Sequence, residues 1–206
     1  MRNHRILATT TLALLALTAG TGCMLFPQLK DKVVDLVTSG SVTAGFQARG
    51  TTNVYSETKT IDIRDSLDVR KVLDDAGIDV ADVKSITLGG VSYRITKAQA
   101  GRTITDGTIT VQRSGGAAAT LVGGFTADAG AVTGWLTPTL TAAGVTQLNA
   151  LLADILAELQ GGAPANEVIT YSVSGTSNPS GTDTDFDYQL RLTISIVGKV
   201  KTKWLE

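Results

Sequence analysis

The chain has 206 residues, with 18 Lys and Arg against 19 Asp and Glu and a single histidine and cysteine. That length suits one domain or two small ones with a real core. A near-neutral charge with no Lys/Arg cluster interleaved with aromatics excludes a nucleic-acid partner, and one cysteine excludes an intramolecular disulfide.

In chain order, MRNHR is a short basic head, ILATTTLALLALTAG is an uncharged stretch, and Thr21-Gly22 stand directly before Cys23. This is the order of a secretory signal peptide. Its apolar run falls short of the roughly 20 residues that span a bilayer, so a cleaved signal is expected over a retained anchor. Ending as it does in small residues and cysteine, the segment resembles the bacterial lipoprotein signal. The resemblance implies lipid on the Cys23 sulfur, removal of residues 1–22, and retention on a lipid bilayer by the acyl chains. Met24, in place of aspartate, leans that expectation to the outer membrane over the inner. Gly20 and Thr21 depart from the leucine and the Ala or Ser that the family prefers there. The alternative is a plain signal cleaved after Ala19 or Gly22, leaving a free thiol that an oxidising compartment disfavours. Loss of residues 1–22 removes Arg2, His4 and Arg5, leaving 184 residues with 16 basic and 19 acidic groups, a net −3. Without histidine, a Ser/His/Asp arrangement and ordinary zinc sites are excluded, and no cofactor is expected.

Residues 23–40 are expected to form a lipid-anchored segment with a short helix, because Leu29, Val33, Leu36 and Val37 share a helical side. Met24, Leu25 and Phe26 either dip into the membrane interface or cover an edge of the core. Residues 41–206 read as a single β-sandwich-like domain. Two strands lie within 41–63, broken near Arg49-Gly50. A short helix capped by Asp65 or Ser66 follows, with Val69, Val72 and Leu73 inward and Gly77 closing it. A strand then alternates Val91, Tyr93 and Ile95, with Gly89-Gly90 marking a bulge. Residues 101–113 form a hairpin or a bulged strand at Asp106-Gly107, with Ile109 and Val111 inward. Residues 117–134 are either a short strand at 119–122 or loop.

The clearest helix is 141–160, where Val145, Leu148, Leu151, Leu152, Ile155, Leu156 and Leu159 recur at helical spacing before Gly161-Gly162. Intramolecular docking on the sheets is favoured over an envelope protein or a second copy as its partner. The end of the chain returns to strands, with Ile169, Tyr171 and Val173 and then the long alternation of Phe186, Tyr188, Leu190, Leu192, Ile194 and Ile196. A long strand with one wet face belongs to an antiparallel sheet. The predicted fold is therefore mainly β, an antiparallel two-sheet β-sandwich with one long amphipathic helix packed on it and a short helix between early strands. It resembles the immunoglobulin-like sandwich lipoproteins of bacterial envelopes in architecture alone.

Asp183, Asp185 and Asp187 are candidate calcium ligands, since carboxylates at i, i+2 and i+4 can reach one cation from a loop; a solvated turn is the plainer reading. Asp74, Asp75, Asp79 and Asp82 surround Gly77 and could divide acid and base roles, or simply be surface groups and caps. Lys199, Lys201 and Lys203 alternate toward Trp204, either as a basic strip against lipid headgroups or as charges that protect a strand end. Trp135 is expected to anchor the loop that leads into the long helix. Together these readings describe a non-enzymatic envelope lipoprotein with a structural or binding role. The alternative is a secreted or anchored carbohydrate-active enzyme, or a carbohydrate- or calcium-binding module, using surface carboxylates.

Overall fold

The computed structural model describes residues 30–204. The expected signal peptide over residues 1–22, Cys23 and Met24–Phe26 lie outside the described residues.

The fold follows from the alternation in the last strand, β7 (Thr184–Trp204), whose residues Phe186 to Ile196 bury every second side chain. Its other face is polar, so β7 needs one apolar layer against it and two strand neighbours beside it. Those neighbours are β1 (Lys30–Gly50) and β3 (Val83–Lys97), giving a three-stranded sheet of order β1-β7-β3. β1 and β7 pair antiparallel along their full length, from Lys30 opposite Trp204 to Gly50 opposite Thr184. The second sheet has the order β2-β6-β4-β5, built from β2 (Val54–Asp62), β4 (Thr103–Arg113), β5 (Ala119–Asp128) and β6 (Val168–Asn178). All pairings are antiparallel. The inner faces meet in one core, where Phe46 stacks on Tyr188 at 5.2 Å and Tyr55 meets the Phe186 ring edge-on at 5.4 Å. This is the two-sheet sandwich that the alternation predicts.

Four short or long helical pieces decorate it: α1 (Ile63–Ser66), α2 (Val69–Ala76), a 3-10 turn at Val80–Asp82, and α3 (Ala142–Leu159). Aspartates start the first three, with the side chains of Asp62, Asp68 and Asp79 accepting from the backbone N–H groups of Arg64, Lys71 and Ala81. Each cap supplies an acceptor to a donor that the helix itself leaves unmatched. Gly77, at φ +68°, closes α2 in the left-handed region.

α3 bridges the edges of the two sheets, packing on β3 of one and on β4 and β5 of the other. Leu148, Leu151, Leu152 and Ile155 are buried beneath it, so this part of the apolar stripe packs within the chain, while Val145, Leu156 and Leu159 are half-buried. Gly144 permits the approach, because a Cβ there would lie 2.5 Å from the Leu121 Cα. Polar groups complete the cover over the β3 edge. Asn149 Oδ1 accepts from Leu88 N at 2.7 Å, and Tyr93 and Leu136 exchange backbone hydrogen bonds of 2.9 and 2.8 Å. The edge is thereby kept from pairing with another chain.

Three expectations change. The short helix expected within residues 23–40 is the first part of β1 from Lys30 onward. Val33, Val34, Val37 and Thr38 are β-branched, and twenty-one residues of partner strand override an i, i+3, i+4 coincidence. The sandwich consequently begins at Lys30 and not at residue 41. The helix after β2 is two pieces capped by Asp62 and Asp68, and neither Asp65 nor Ser66 starts one. At Asp106-Gly107 the bulged strand is found: Asp106 has φ +51°, and β4 slips register against β6 between Thr105 and Thr108. Residues 119–128 form a full strand, and a bulge does interrupt β3 between Leu88 and Gly90.

Candidate functional site

Because β7 alternates strictly, its odd-numbered residues project from the outer face of the three-stranded sheet, and Asp185, Asp187, Gln189, Arg191 and Thr193 fall in one row. The proposed calcium triplet begins this row, but cations of the protein already occupy it. Asp185 is bonded by Lys97 Nζ at 2.7 Å and lies 3.0 Å from Arg49 Nε, while Asp187 lies 2.5 Å from Arg49 Nη2. The Lys97 hydrogen bond, with the Arg49 charge behind it, holds the Asp185 carboxyl below its ordinary range. Asp183 contributes its backbone carbonyl to Gln99 and Arg102. No group of three or more His, Cys, Asp or Glu positioned to hold a metal occurs among the described residues. The aspartates around Gly77 do not converge either: Asp79 caps the 3-10 turn and Asp75 pairs with Lys71 across one helical turn.

Two arginine-centred arrangements were not visible in the sequence. The guanidinium of Arg64 on α1 bonds Glu158 Oε1 at 2.6 Å and Glu167 Oε1 at 2.5 Å, at the mouth of a half-open depression of about 420 Å³ whose floor includes Leu67, Ile155 and Leu159. Glu158 also accepts from Ala165 N at 2.8 Å; that bond first, and Arg64 second, hold its carboxyl below the usual value. A carboxyl held ionised is poorly suited to donate a proton, so these carboxylates tie α1, through Arg64, to α3 and to the residue before β6 more naturally than they divide acid and base roles. Arg102, only 2% exposed, directs its guanidinium into the β6–β7 loop. It donates to Ser177 Oγ, Pro179 O, Thr182 Oγ1, Asp183 O and Gln99 Oε1.

The third arrangement lies on the outer face of the three-stranded sheet. Arg191 of β7 pairs with Ser92 of β3 and Thr43 of β1, and Arg94 pairs with Gln189, so both arginines rise from the same face. The indole of Trp135, on the loop before α3, lies across both, 4.2 Å from the Arg191 guanidinium carbon and 4.6 Å from that of Arg94. Tyr93 and Leu136 fix this loop by pairing one residue beyond Trp135. Trp135 therefore does anchor the approach to α3, and it does so on a cationic surface. Arg191 Nε donates to Ser92 Oγ at 3.1 Å and Arg94 Nε to Gln189 Oε1 at 2.9 Å; among the described residues no carboxylate pairs with either. Beside Arg191, an open depression of about 320 Å³ is bounded by Ser39, Gly40, Ser41 and Thr193.

No protein family matches the sequence, and no curated protein matches it. Among solved structures, the chain is similar to one from Desmodium yellow mottle tymovirus, at 11% identity over 98% of both chains with a TM-score of 0.31. It is also similar to one from the Gx strain of infectious bursal disease virus, at 10% identity over 84% of this chain and 36% of that chain (TM-score 0.26). A third is the decameric BFDV capsid protein, at 12% identity over 78% of this chain and 99% of that chain (TM-score 0.28). Likenesses this distant carry no argument about this protein.

Proposed function

We propose that this protein is an exported, non-enzymatic lipoprotein of the bacterial envelope, acylated at Cys23 and serving a binding or structural role, with the outer membrane favoured over the inner. The observation that carries the reading is the basic head, short uncharged stretch and pair of small residues directly before the sole cysteine. The distance to the folded body supports it. β1 begins at Lys30, seven residues after Cys23, and a chain extends at most about 3.6 Å per residue, so the acyl chains would hold the sandwich within about 25 Å of the bilayer. The part of the fold nearest that anchor is the β1–β7 ribbon, where Val33 and Val37 are 51% and 66% exposed, Lys201 lies opposite Val33 and Lys199 opposite Asp35 between them. Exposed valines beside lysines suit a membrane interface better than bulk water.

The binding role is supported by the way the candidate carboxylates are used. Of the candidate carboxylates, Asp75, Asp79, Asp185 and Asp187 are engaged in caps and ion pairs, which favours a binding or structural role over the carboxylate-based enzyme or calcium module. Mass spectrometry of the membrane-extracted protein should find diacylglycerol on Cys23, and the Cys23→Ala form should be released into the soluble fraction. An unacylated, soluble wild type would end this reading, and envelope fractionation assigns the membrane.

A further inference from the structure

We propose that the outer face of the three-stranded sheet, from Ser39 and Ser41 across Arg191 to Trp135 and Arg94, binds an acidic saccharide. The site lies on the folded body, so the inference does not rest on acylation of Cys23.

Charge selects the ligand's sign. On this face Asp185 and Asp187 are neutralised from within by Arg49 and Lys97, and Asp35 by Lys84 at 2.6 Å. Between these ion pairs, Arg94 and Arg191 have, among the described residues, only the neutral acceptors Gln189 and Ser92, and each uses Nε for that bond. Their terminal nitrogens form planar forks suited to a carboxylate or sulfate, and such pairs are stronger and more directional than neutral hydrogen bonds.

Shape and surface chemistry select the ligand's class. The outward residues of β1 along this stretch, Ser39, Ser41, Thr43 and Gly45, are all small and exposed, and a Cβ at Gly45 would meet nothing within 4 Å. Ser39, Gly40 and Ser41, with Arg191 and Thr193 beside them, line a shallow trough whose three hydroxyls can each both donate and accept. Sugar hydroxyls have the same dual capacity. The indole supplies the remaining element. It is half-buried, held by two guanidiniums, and offers a rigid apolar surface against which the C–H face of a pyranose can rest. A peptide strand would add to a sheet edge by backbone pairing and has no such use for the middle of a face. Hydroxyl trough, aromatic platform and unneutralised arginines together fit a chain of uronate sugars.

The test is calorimetric titration of the full-length protein in detergent micelles with an alginate hexasaccharide, which carries one carboxylate per sugar. Cellohexaose serves as the neutral control, and glycerol 1-phosphate represents a lipid headgroup. Saturable binding of the hexuronate is expected, falling as salt is raised. Arg191→Gln and Arg94→Gln should each weaken it about tenfold or more, which is about 1.4 kcal/mol, and Trp135→Phe should weaken it and abolish the accompanying change in indole fluorescence. Thermal melts of the three variants, expected to match the wild type, separate lost contacts from lost folding, and Ser41→Ala provides a smaller perturbation should any arginine variant melt early. Absence of hexuronate binding, equally tight cellohexaose binding, or an affinity indifferent to all four substitutions would overturn the proposal. Tighter binding of glycerol 1-phosphate through the same arginines would also overturn it, in favour of a headgroup site.

Discussion

Among the described residues neither Arg102 nor Arg191 has a carboxylate partner, and the protein treats the two arginines in opposite ways. Arg102 is 2% exposed and spends its donors on five neutral oxygens of Gln99, Ser177, Pro179, Thr182 and Asp183. Arg191 is half-buried on the outer face, donates from Nε to Ser92 and stacks on Trp135, and among the described residues no carboxylate pairs with it. A buried cation is tolerable only when its hydrogen-bonding capacity is met. Where every donor is satisfied, the residue is part of the architecture; where donors remain at an accessible surface, they are available to a ligand. Counting the fate of N–H groups thus separates the two kinds of arginine better than charge or burial alone.

The sharpest way to break that comparison is Arg102→Met. Its acceptors are the turn that carries β6 into β7, and a buried acceptor left without a donor costs about 1–3 kcal/mol. A loss of about 3 kcal/mol or more is expected in denaturant unfolding, with Arg102→Lys recovering only part of it because an ammonium cannot span the same fork. A loss below about 1 kcal/mol for Arg102→Met would show that this arginine is not architectural. Leu152→Ala supplies an apolar yardstick. Leu152 lies under α3 at 2% exposure, so removing its side chain should cost about 2–5 kcal/mol through lost burial and a residual cavity. Size exclusion run beside the melt checks the assignment: a changed elution volume at unchanged stability would mean that α3 serves a partner and not its own sheets.

What could be read in advance follows physical range. The sandwich was legible because period-two burial is a local property: Phe186 through Ile196 state their own inner face, and Leu148 to Ile155 state theirs at helical spacing. The start of β1 is not legible locally because Val33, Leu36 and Val37 fit a helical stripe, and only a partner strand more than 150 residues away decides otherwise. The candidate site was the least legible part. Arg191 is one of several polar residues in an alternating strand, Trp135 sits in an irregular loop, and Arg94 follows from neither; their meeting depends on the register of β3 against β7, which sets Ser92 opposite Arg191 and Arg94 opposite Gln189. The aspartates drew attention by clustering in sequence, yet the cations that neutralise them, Arg49 and Lys97, come from two other strands.

A smaller effect sharpens the contrast through acid titration. Glu158 and Asp185 have carboxyls lowered in the folded state, by the Ala165 N–H and Arg64 for the first and by Lys97 and Arg49 for the second. Folded pKa values below the unfolded ones, near 4.3 and 3.9, mean that the unfolded chain binds more protons as pH falls. Their contribution is therefore fully present above about pH 5 and is lost progressively as pH drops through the folded values. Melting temperatures of Glu158→Gln and Asp185→Asn should fall less steeply than the wild type's below about pH 4.5. Identical acid limbs would show that neither ion pair is felt. Both groups are at the surface, so the change in slope is expected to be modest.

The smallest stability effect is the most informative about the outer face. Arg94→Gln with Arg191→Gln removes two cation–π contacts of the exposed kind, each worth about 0.5–1 kcal/mol, and two side-chain hydrogen bonds that water can replace. The gain from relieving the repulsion between two neighbouring guanidiniums opposes that loss. A net change within about 1 kcal/mol is therefore expected in the melt, together with a red shift of indole emission as Trp135 is released from its two supports. Trp204 contributes a constant background, which Trp135→Phe defines. If the double substitution instead lowered stability as much as Arg102→Met, these arginines would be fastening the Trp135 loop to the sheet, and the distinction between satisfied and available donors would fail at the place where it was drawn.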